Sequence, residues 1–298
     1  MTSEFVYGSV CSGIEATSIA WKDLGWRCAF LSEIAEFPRA LLKQRFSEVP
    51  LHGDFTTIEK GMYEQIDLLC GGVPCQSFSL AGDRRGMDDS RGLLALQFAK
   101  LASRLRPRWT FIENVPGLLS SNKGIDFSSI LSSLAELGYG VCWRVLDAKD
   151  FGVPQRRKRL FIIGYLGDWR PSAAVLFESK SLCRYTPQSQ ETKPYANALT
   201  ANGVGAGGGP DDNSAQGNHL IAFSAKGISS EPDSVRRLTV IETERLQGLP
   251  DNWTQVSFHG KPAADSHRYK AVGNSMAVPV ISWLGKRIAF VNSKLSLC

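Results

Sequence analysis

What most restricts this chain is a succession of short β-rich runs, each followed by a helical pattern. Residues 4–10 (EFVYGSV) read as a strand with Gly13 in the turn behind it. Residues 14–24 then place Ile14, Ser18, Trp21 and Leu24 on one helical face, and Gly25 stops the helix. Residues 26–32 predict a second strand, and 38–46 a helix whose first turn suits Pro38. IDLLC (66–70) has the apolar density of a parallel strand buried on both faces. Leu94, Phe98, Leu101 and Leu105 form a helical stripe, and WTFIE (109–113) is a further strand. Asp126 is placed to cap a helix burying Phe127, Ile130, Leu131 and Leu134, and YGVCWRVLD and LFIIGYL close the series as strands. This alternation predicts an α/β fold, an open and mostly parallel sheet with helices on both faces.

The texture changes after about residue 175. The stretch 200–218 holds six glycines and almost no apolar side chain, so it has nothing to place in a core. Order is expected to resume at HLIAFSA (219–225) and in 236–250, where Ile241, Glu244, Arg245 and Gln247 suit a short helix ended at Gly248. Val280, Leu284 and Ile288 mark a last helix entered through Pro279, and no internal repeat is present.

Composition removes several classes. With 298 residues and 43% hydrophobic content, the chain buries a large core without help. Seven scattered cysteines without a C-x-x-C pair, and four histidines without ligand spacing, argue against a disulfide framework and a structural metal. No apolar run approaches the ~18 residues of a membrane span. The first residues carry Glu4 and no cationic stretch, unlike a secretion signal. A reduced, cytoplasmic protein is expected, monomeric and without membrane or metal. The net charge of +5 permits a polyanionic partner without requiring one.

In an open parallel sheet, ligands bind beyond the carboxyl ends of the strands. That edge collects the loop at Gly13, then Glu33, the GGVPCQSFS loop and Glu113. Glu33 follows Gly13 by twenty residues, the offset at which a carboxylate reaches a ribose. CSGIEA is not G-x-G-x-x-G, which disfavours a nicotinamide dinucleotide; an adenosine ligand without a pyrophosphate fits better. Cys75 sits in the polar loop of that edge behind two glycines and Pro74, whereas Cys28 and Cys142 lie inside strands as small hydrophobes. No histidine neighbours Cys75, which weakens a Cys–His hydrolase. Glu113 is either a loop anchor or an acid partnering the thiol. QRRKR (155–159) puts four cations in five residues, a solvated turn or a binder of phosphate or substrate oxygens.

These segments resemble the DNA cytosine-5 methyltransferase family over nearly the whole chain. DLLCGGVPCQSFS is similar to the family's nucleophile loop, FIENVPGL to its Glu-Asn-Val segment and QRRKRLFIIGY to its Gln-x-Arg-x-Arg strand. RRLTVIETERLQGLPDNW resembles the segment after the recognition region, and YKAVGNSMAVPV the Gly-Asn-Ser entry to the last helix. The resemblance implies a Rossmann-like class I methyltransferase sheet with a small irregular or β-rich target-recognition domain. It assigns 1–175 and 270–298 to the catalytic unit that binds S-adenosylmethionine, and 176–269 to recognition.

It also implies a mechanism on double-stranded DNA. The Cys75 thiolate adds to C6 of a flipped-out cytosine, which makes C5 enamine-like, and C5 takes the methyl group; loss of the C5 proton then expels the thiol. Glu113 would answer the charge developing toward N3, with Arg157 and Arg159 matching the family's two arginines and Arg159 on the base carbonyl. Ser12, Gly13 and Ile14 carry over to the methionine end, Glu33 to the ribose, Asp54 to the adenine amino group, Ile34 and Phe55 to the ring, and Asn274 and Ser275 to the cofactor from the last segment. Ser79, Arg84, Arg85, Gln155 and Thr200 carry over to DNA, with 77–91 as a lid. The chain departs from the family at Cys11, where an aromatic is usual, and at Glu15-Ala16, where a glycine pair is common. The alternatives are a tRNA cytosine-5 methyltransferase and an inactive DNA-binding relative. Within the family, pairing with a restriction enzyme is one setting among several.

Overall fold

The computed structural model describes residues 4–74, 93–177, 220–222 and 235–295. Its centre is a seven-stranded sheet. The chain enters with β1 (Val6–Val10), α1 (Ala16–Trp21), β2 (Arg27–Ser32), α2 (Glu36–Arg45) and the short β3 (Leu51–His52). Then come β4 (Leu68–Gly72), α3 (Leu93–Leu105), β5 (Trp109–Asn114), α4 (Ile125–Glu136), β6 (Tyr139–Asp147), β7 (Lys158–Leu166) and α5 (Arg170–Leu176). The order is β3-β2-β1-β4-β5-β7-β6, parallel from β3 to β5 and reversed only at β7, which pairs antiparallel with both β5 and β6.

Strand side chains alternate between two apolar layers, as a pleat buried on both faces requires. Tyr7, Leu68, Cys70, Trp109, Phe111, Phe161 and Ile163 face one layer with Trp21 of α1 and Leu41 of α2. Val6, Val10, Leu69, Ile112, Leu160 and Ile162 face the other, against Phe98 and Leu101 of α3 and Ile130 and Leu134 of α4. The α/β class with helices on both faces is therefore observed.

Beyond the sheet lie the antiparallel pair β8 (Leu220–Ala222) and β9 (Val235–Arg237), then α6 (Val240–Leu246) and the pair β10 (Ser257–Phe258) and β11 (Lys261–Pro262). The chain continues through α7 (Asp265–Asn274) and α8 (Val278–Leu295). The first layer also contains Leu238, Leu246, Leu249 and Val256, so the packing does not change at residue 269. From Leu238 onward this segment packs into the first apolar layer of the sheet.

One local expectation is corrected. Gly124, at φ 87°, is the N-cap of α4, and Asp126 is the second residue of the first turn, accepting from Ser121 Oγ at 2.6 Å and Asn122 Nδ2 at 3.4 Å. In α6 the buried residues are Val240, Thr243, Glu244 and Leu246, and a Thr239–Glu242 capping box starts the helix. The short helix expected to end at Gly248 is thus observed.

Candidate active site at the carboxyl edge of the sheet

The first wall of the edge is the loop after β1. Cys11, Gly13 and Glu15 all have positive φ, at 49°, 55° and 57°. Such a path folds the chain sharply without the glycine fingerprint of a dinucleotide turn. Ser12 stitches this loop to β2: its N–H donates to Ser32 O at 3.0 Å and its Oγ accepts from Ser32 N at 3.1 Å. Gly13 N–H donates to Glu33 Oε2 at 2.8 Å, and Ile34 and Ala35 N–H donate to Glu33 Oε1 at 2.9 and 2.8 Å. A carboxylate offers about four acceptor positions, so these three bonds orient Glu33 and leave room for a hydroxyl donor.

Asp54 stands exposed at the head of the next turn, taking Thr56 N–H at 2.9 Å. Arg39 of α2 joins the two loops, its Nη1 donating to both Glu33 O and His52 O at 2.6 Å. Burial pushes the Cys11 thiol up to about 12, and the Glu33 and Asp54 charges add to the rise. Ile34 is 74% exposed, an apolar side chain held out at a polar rim. Asn274 is exposed at the end of α7.

These residues suit a cationic adenosine-type cofactor. Two carboxylates complement a positive sulfonium and a hydroxyl-bearing sugar, and Ile34 offers a flat apolar surface to a ring. Other expected contacts are turned inward. Ile14 is 1% exposed in the core, Phe55 lies in the second apolar layer, and Ser275 is buried.

The second wall is built on β5 and β7. Glu113 and Asn114 end β5, and Asn114 Nδ2 donates to Val73 O at 2.8 Å, tying it to the chain that leads from β4 toward Cys75. Arg159 Nε lies 3.2 Å from Glu113 Oε1, and Arg159 Nη1 donates to Lys158 O at 2.8 Å. The two glycines of β4 serve the protein's own packing. A methyl on Gly71 would meet Val10 O at 2.6 Å, and one on Gly72 would meet Glu113 Oε2 at 3.3 Å.

QRRKR is neither a solvated turn nor a uniform cationic patch. Gln155 and Arg157 are buried and face the interior, while Arg159 joins Glu113. Arg157 donates to Gly273 O at 3.2 Å and Ser275 O at 2.7 Å. Burial, then the neighbouring Arg159 charge, pushes the Arg157 guanidinium down to about 9, still cationic at neutral pH. Gln155 Nε2 donates to Leu246 O at 2.8 Å, and Gln247 Nε2 donates to Val272 O at 3.0 Å. The expected DNA contact at Gln155 is thus corrected: its amide joins the start of β7 to α6. Sequence reasoning also missed Arg39, Gln247 and Trp253, whose partners are set only by the fold.

Cys75, Ser79, Arg84, Arg85 and Thr200 lie outside the described residues. The four described cysteines are all free, and burial is the first cause raising each of their thiols. None of these four is poised as a thiolate. Among the described residues no group of three or more His, Cys, Asp or Glu could hold a metal ion, and no helix is long and apolar enough to cross a membrane.

Comparison with known proteins gives one family. The sequence model of C-5 cytosine-specific DNA methylases matches residues 5–201 and 209–289. The Type II methyltransferase M.HpaII of Haemophilus parainfluenzae is 32% identical over 97% of this chain and 90% of its own length. A protein of Escherichia phage P1 named DNA N-6-adenine-methyltransferase is 30% identical over 96% of this chain, which spans only 61% of it. The structure of S. pombe Dnmt2 methyltransferase superposes with a TM-score of 0.69, covering 98% of this chain and 99% of that one at 16% identity, a likeness of fold.

Proposed function

The chain belongs to the C-5 cytosine-specific DNA methylase family, and from that premise we propose that it transfers a methyl group from S-adenosylmethionine to C5 of cytosine in duplex DNA. The observation that carries the reading is the Glu113–Arg159 pair, buried at the carboxyl edge and next to Gly72 in strand register. Three residues beyond Gly72 the sequence reaches Cys75, the cysteine that the resemblance makes the nucleophile.

Each residue has a task in this reading. Cys75 adds to C6, forming a C–S bond and passing an electron pair through the ring toward N3. Glu113 hydrogen-bonds the N3 side, where that charge collects, and Arg159 holds the carboxylate and faces the base carbonyl. Glu33 and Asp54 hold the cofactor's sugar and base, with Ile34 against the ring and Asn274 on the far side. When bound, S-adenosylmethionine supplies an electrophilic methyl on a sulfonium. Removal of the C5 proton then lets the C–S bond break and returns Cys75. The target base is out of reach inside a helix, so it must leave the stack. Ser79, Arg84, Arg85 and Thr200 are assigned to DNA, and recognition to the stretch between α5 and α6.

The adenine named for the phage P1 protein is not carried over, because this chain spans only part of that protein. The likeness to M.HpaII supports a role beside a restriction enzyme. The test is transfer of labelled methyl to duplex DNA and to tRNA, with bisulfite sequencing to locate the product. Labelled duplex at cytosine is expected; label on tRNA alone, or on adenine, overturns the reading. A duplex with 5-fluorocytosine at the target should remain bonded to the protein on a denaturing gel, because fluorine does not leave as the proton does.

A further inference from the structure

We propose that Trp253 is a positioning residue for the cofactor loop, holding it from the segment that follows α6. The inference rests on the reading of that loop as a cofactor wall. Trp253 is 239 residues from Ile14 in sequence, yet its indole Nε1–H donates to Ile14 O at 2.8 Å. The same peptide unit donates through Glu15 N–H to Ser12 O at 2.8 Å. A trans peptide points its C=O and N–H in opposite directions, so this unit is pinned from both sides, by Ser12 and by Trp253. Gly13 and Glu15, which flank Ile14, both have positive φ. Gly13 N–H in turn meets Glu33 Oε2. The indole is therefore one peptide away from the carboxylate that orders the pocket.

The rest of the neighbourhood fixes the indole. Glu244 is fully buried in α6 and accepts from Asn252 N–H at 2.7 Å and Thr254 N–H at 2.8 Å, so the residues on both sides of Trp253 are held. Arg45 of α2 lies over the ring, 5.0 Å from its centroid, and donates to Asn252 O and Trp253 O at 2.9 and 3.1 Å. Yet the ring itself is only partly buried. Packing alone does not call for an indole here; the directed N–H is what another aromatic lacks. Gln247 makes a parallel tie, donating to Val272 O and Ser275 O beside Asn274. One segment, 244–254, thus reaches both the Ile14 loop and the residues beside Asn274.

Trp253→Phe keeps the ring under Arg45 and removes the donor. Loss of one such hydrogen bond is expected to raise the Kd for S-adenosylhomocysteine by roughly 5–10-fold. The KM for S-adenosylmethionine should rise in parallel, with kcat at saturating cofactor and the Kd for duplex within about twofold. Arg45→Met, which loosens the ring but keeps the indole, should shift cofactor binding the same way by less. Wild-type protein that binds S-adenosylhomocysteine while Trp253→Phe binds it equally well overturns the inference alone. Equal losses of cofactor and duplex affinity, with a lowered thermal midpoint, also overturn it, since the role is then structural. Wild-type protein that binds neither form of the cofactor removes the reading of the pocket and this inference with it.

Discussion

Glu113 and Arg159 meet across two antiparallel strands, with Arg159 Nε 3.2 Å from Glu113 Oε1 at the end of the sheet where the chain's chemistry gathers. Both side chains are largely buried, and Arg159 is steadied by its bond to Lys158 O. A planar guanidinium holds its donors in a fixed fork that can orient a carboxylate and aim a second N–H in a set direction, whereas an ammonium is a compact charge on a flexible stem. Arg159→Lys should therefore lower kcat by about 10²-fold while duplex affinity changes much less. Glu113→Gln should likewise slow single-turnover methyl transfer more than it weakens DNA binding. Steady-state rates paired with gel-shift titrations separate the two effects. A variant that loses affinity and rate in equal measure would place the pair in binding instead.

Gly72 offers a test that leaves the charges alone. An added methyl would stand 3.3 Å from Glu113 Oε2, the mobile end of a side chain, so the strand itself can accept it. Gly72→Ala should cost little in thermal midpoint yet displace the carboxylate by a few tenths of an ångström. Misplacement on that scale is expected to lower kcat by roughly 10-fold with the cofactor KM unchanged. Gly71→Ala is the contrasting variant. Its methyl would strike Val10 O at 2.6 Å, main chain that cannot move away, and reduced folding yield is expected.

Cys75→Ser should reduce turnover by several orders of magnitude while S-adenosylhomocysteine still binds, because the pocket residues Glu33 and Asp54 lie in the turns after other strands, β2 and β3. Activity equal to wild type would remove the thiol from the mechanism. Site-resolved alkylation gives a second check. Cys11, with its thiol pushed up to about 12, should label slowly at pH 8 compared with Cys75.

Strands and long helices were legible because each carries a periodic signal over five or more residues, as β5 and α3 do. Glu33 and Glu113 were legible because a charged residue at the end of an apolar strand has few other reasons to be there, whereas Asp54 came only with the family resemblance. The short pieces were not. β3, β10 and β11 have two residues each, too few for a period, and α7 is polar over most of its length. Inward-facing residues were misread for a different reason. Gln155 finds its partners at 246 and 247, and Ile14 finds Trp253, contacts that no local pattern announces. Sequence spacing locates a side chain on an edge; only the packed fold decides whether it looks out or in.

Glu15, at the position where the family resemblance leads one to expect glycine, is a buried carboxyl whose ionisation bears on stability. Its oxygens accept from Ser9 Oγ at 2.8 Å, Ser18 N–H at 3.2 Å and Ser18 Oγ at 3.0 Å, and Thr17 Oγ1 also bonds it. Burial nonetheless outweighs these bonds and raises its pKa above the ordinary 4.5. Well below that value the group is protonated in folded and unfolded chains alike. As pH rises, the unfolded chain loses the proton first, so the folded state loses stability until its own raised pKa is passed. Glu15→Gln removes this proton dependence and keeps the shape. The amide oxygen can face Thr17 and Ser18, and the Ser9 hydroxyl can turn to accept from the amide nitrogen. The thermal midpoint of the variant should therefore gain on wild type between pH 4.5 and pH 8, measured by circular dichroism melts at matched ionic strength. A difference between the two proteins that stays constant across that range would show that Glu15 ionises in the folded chain as it does in the unfolded one.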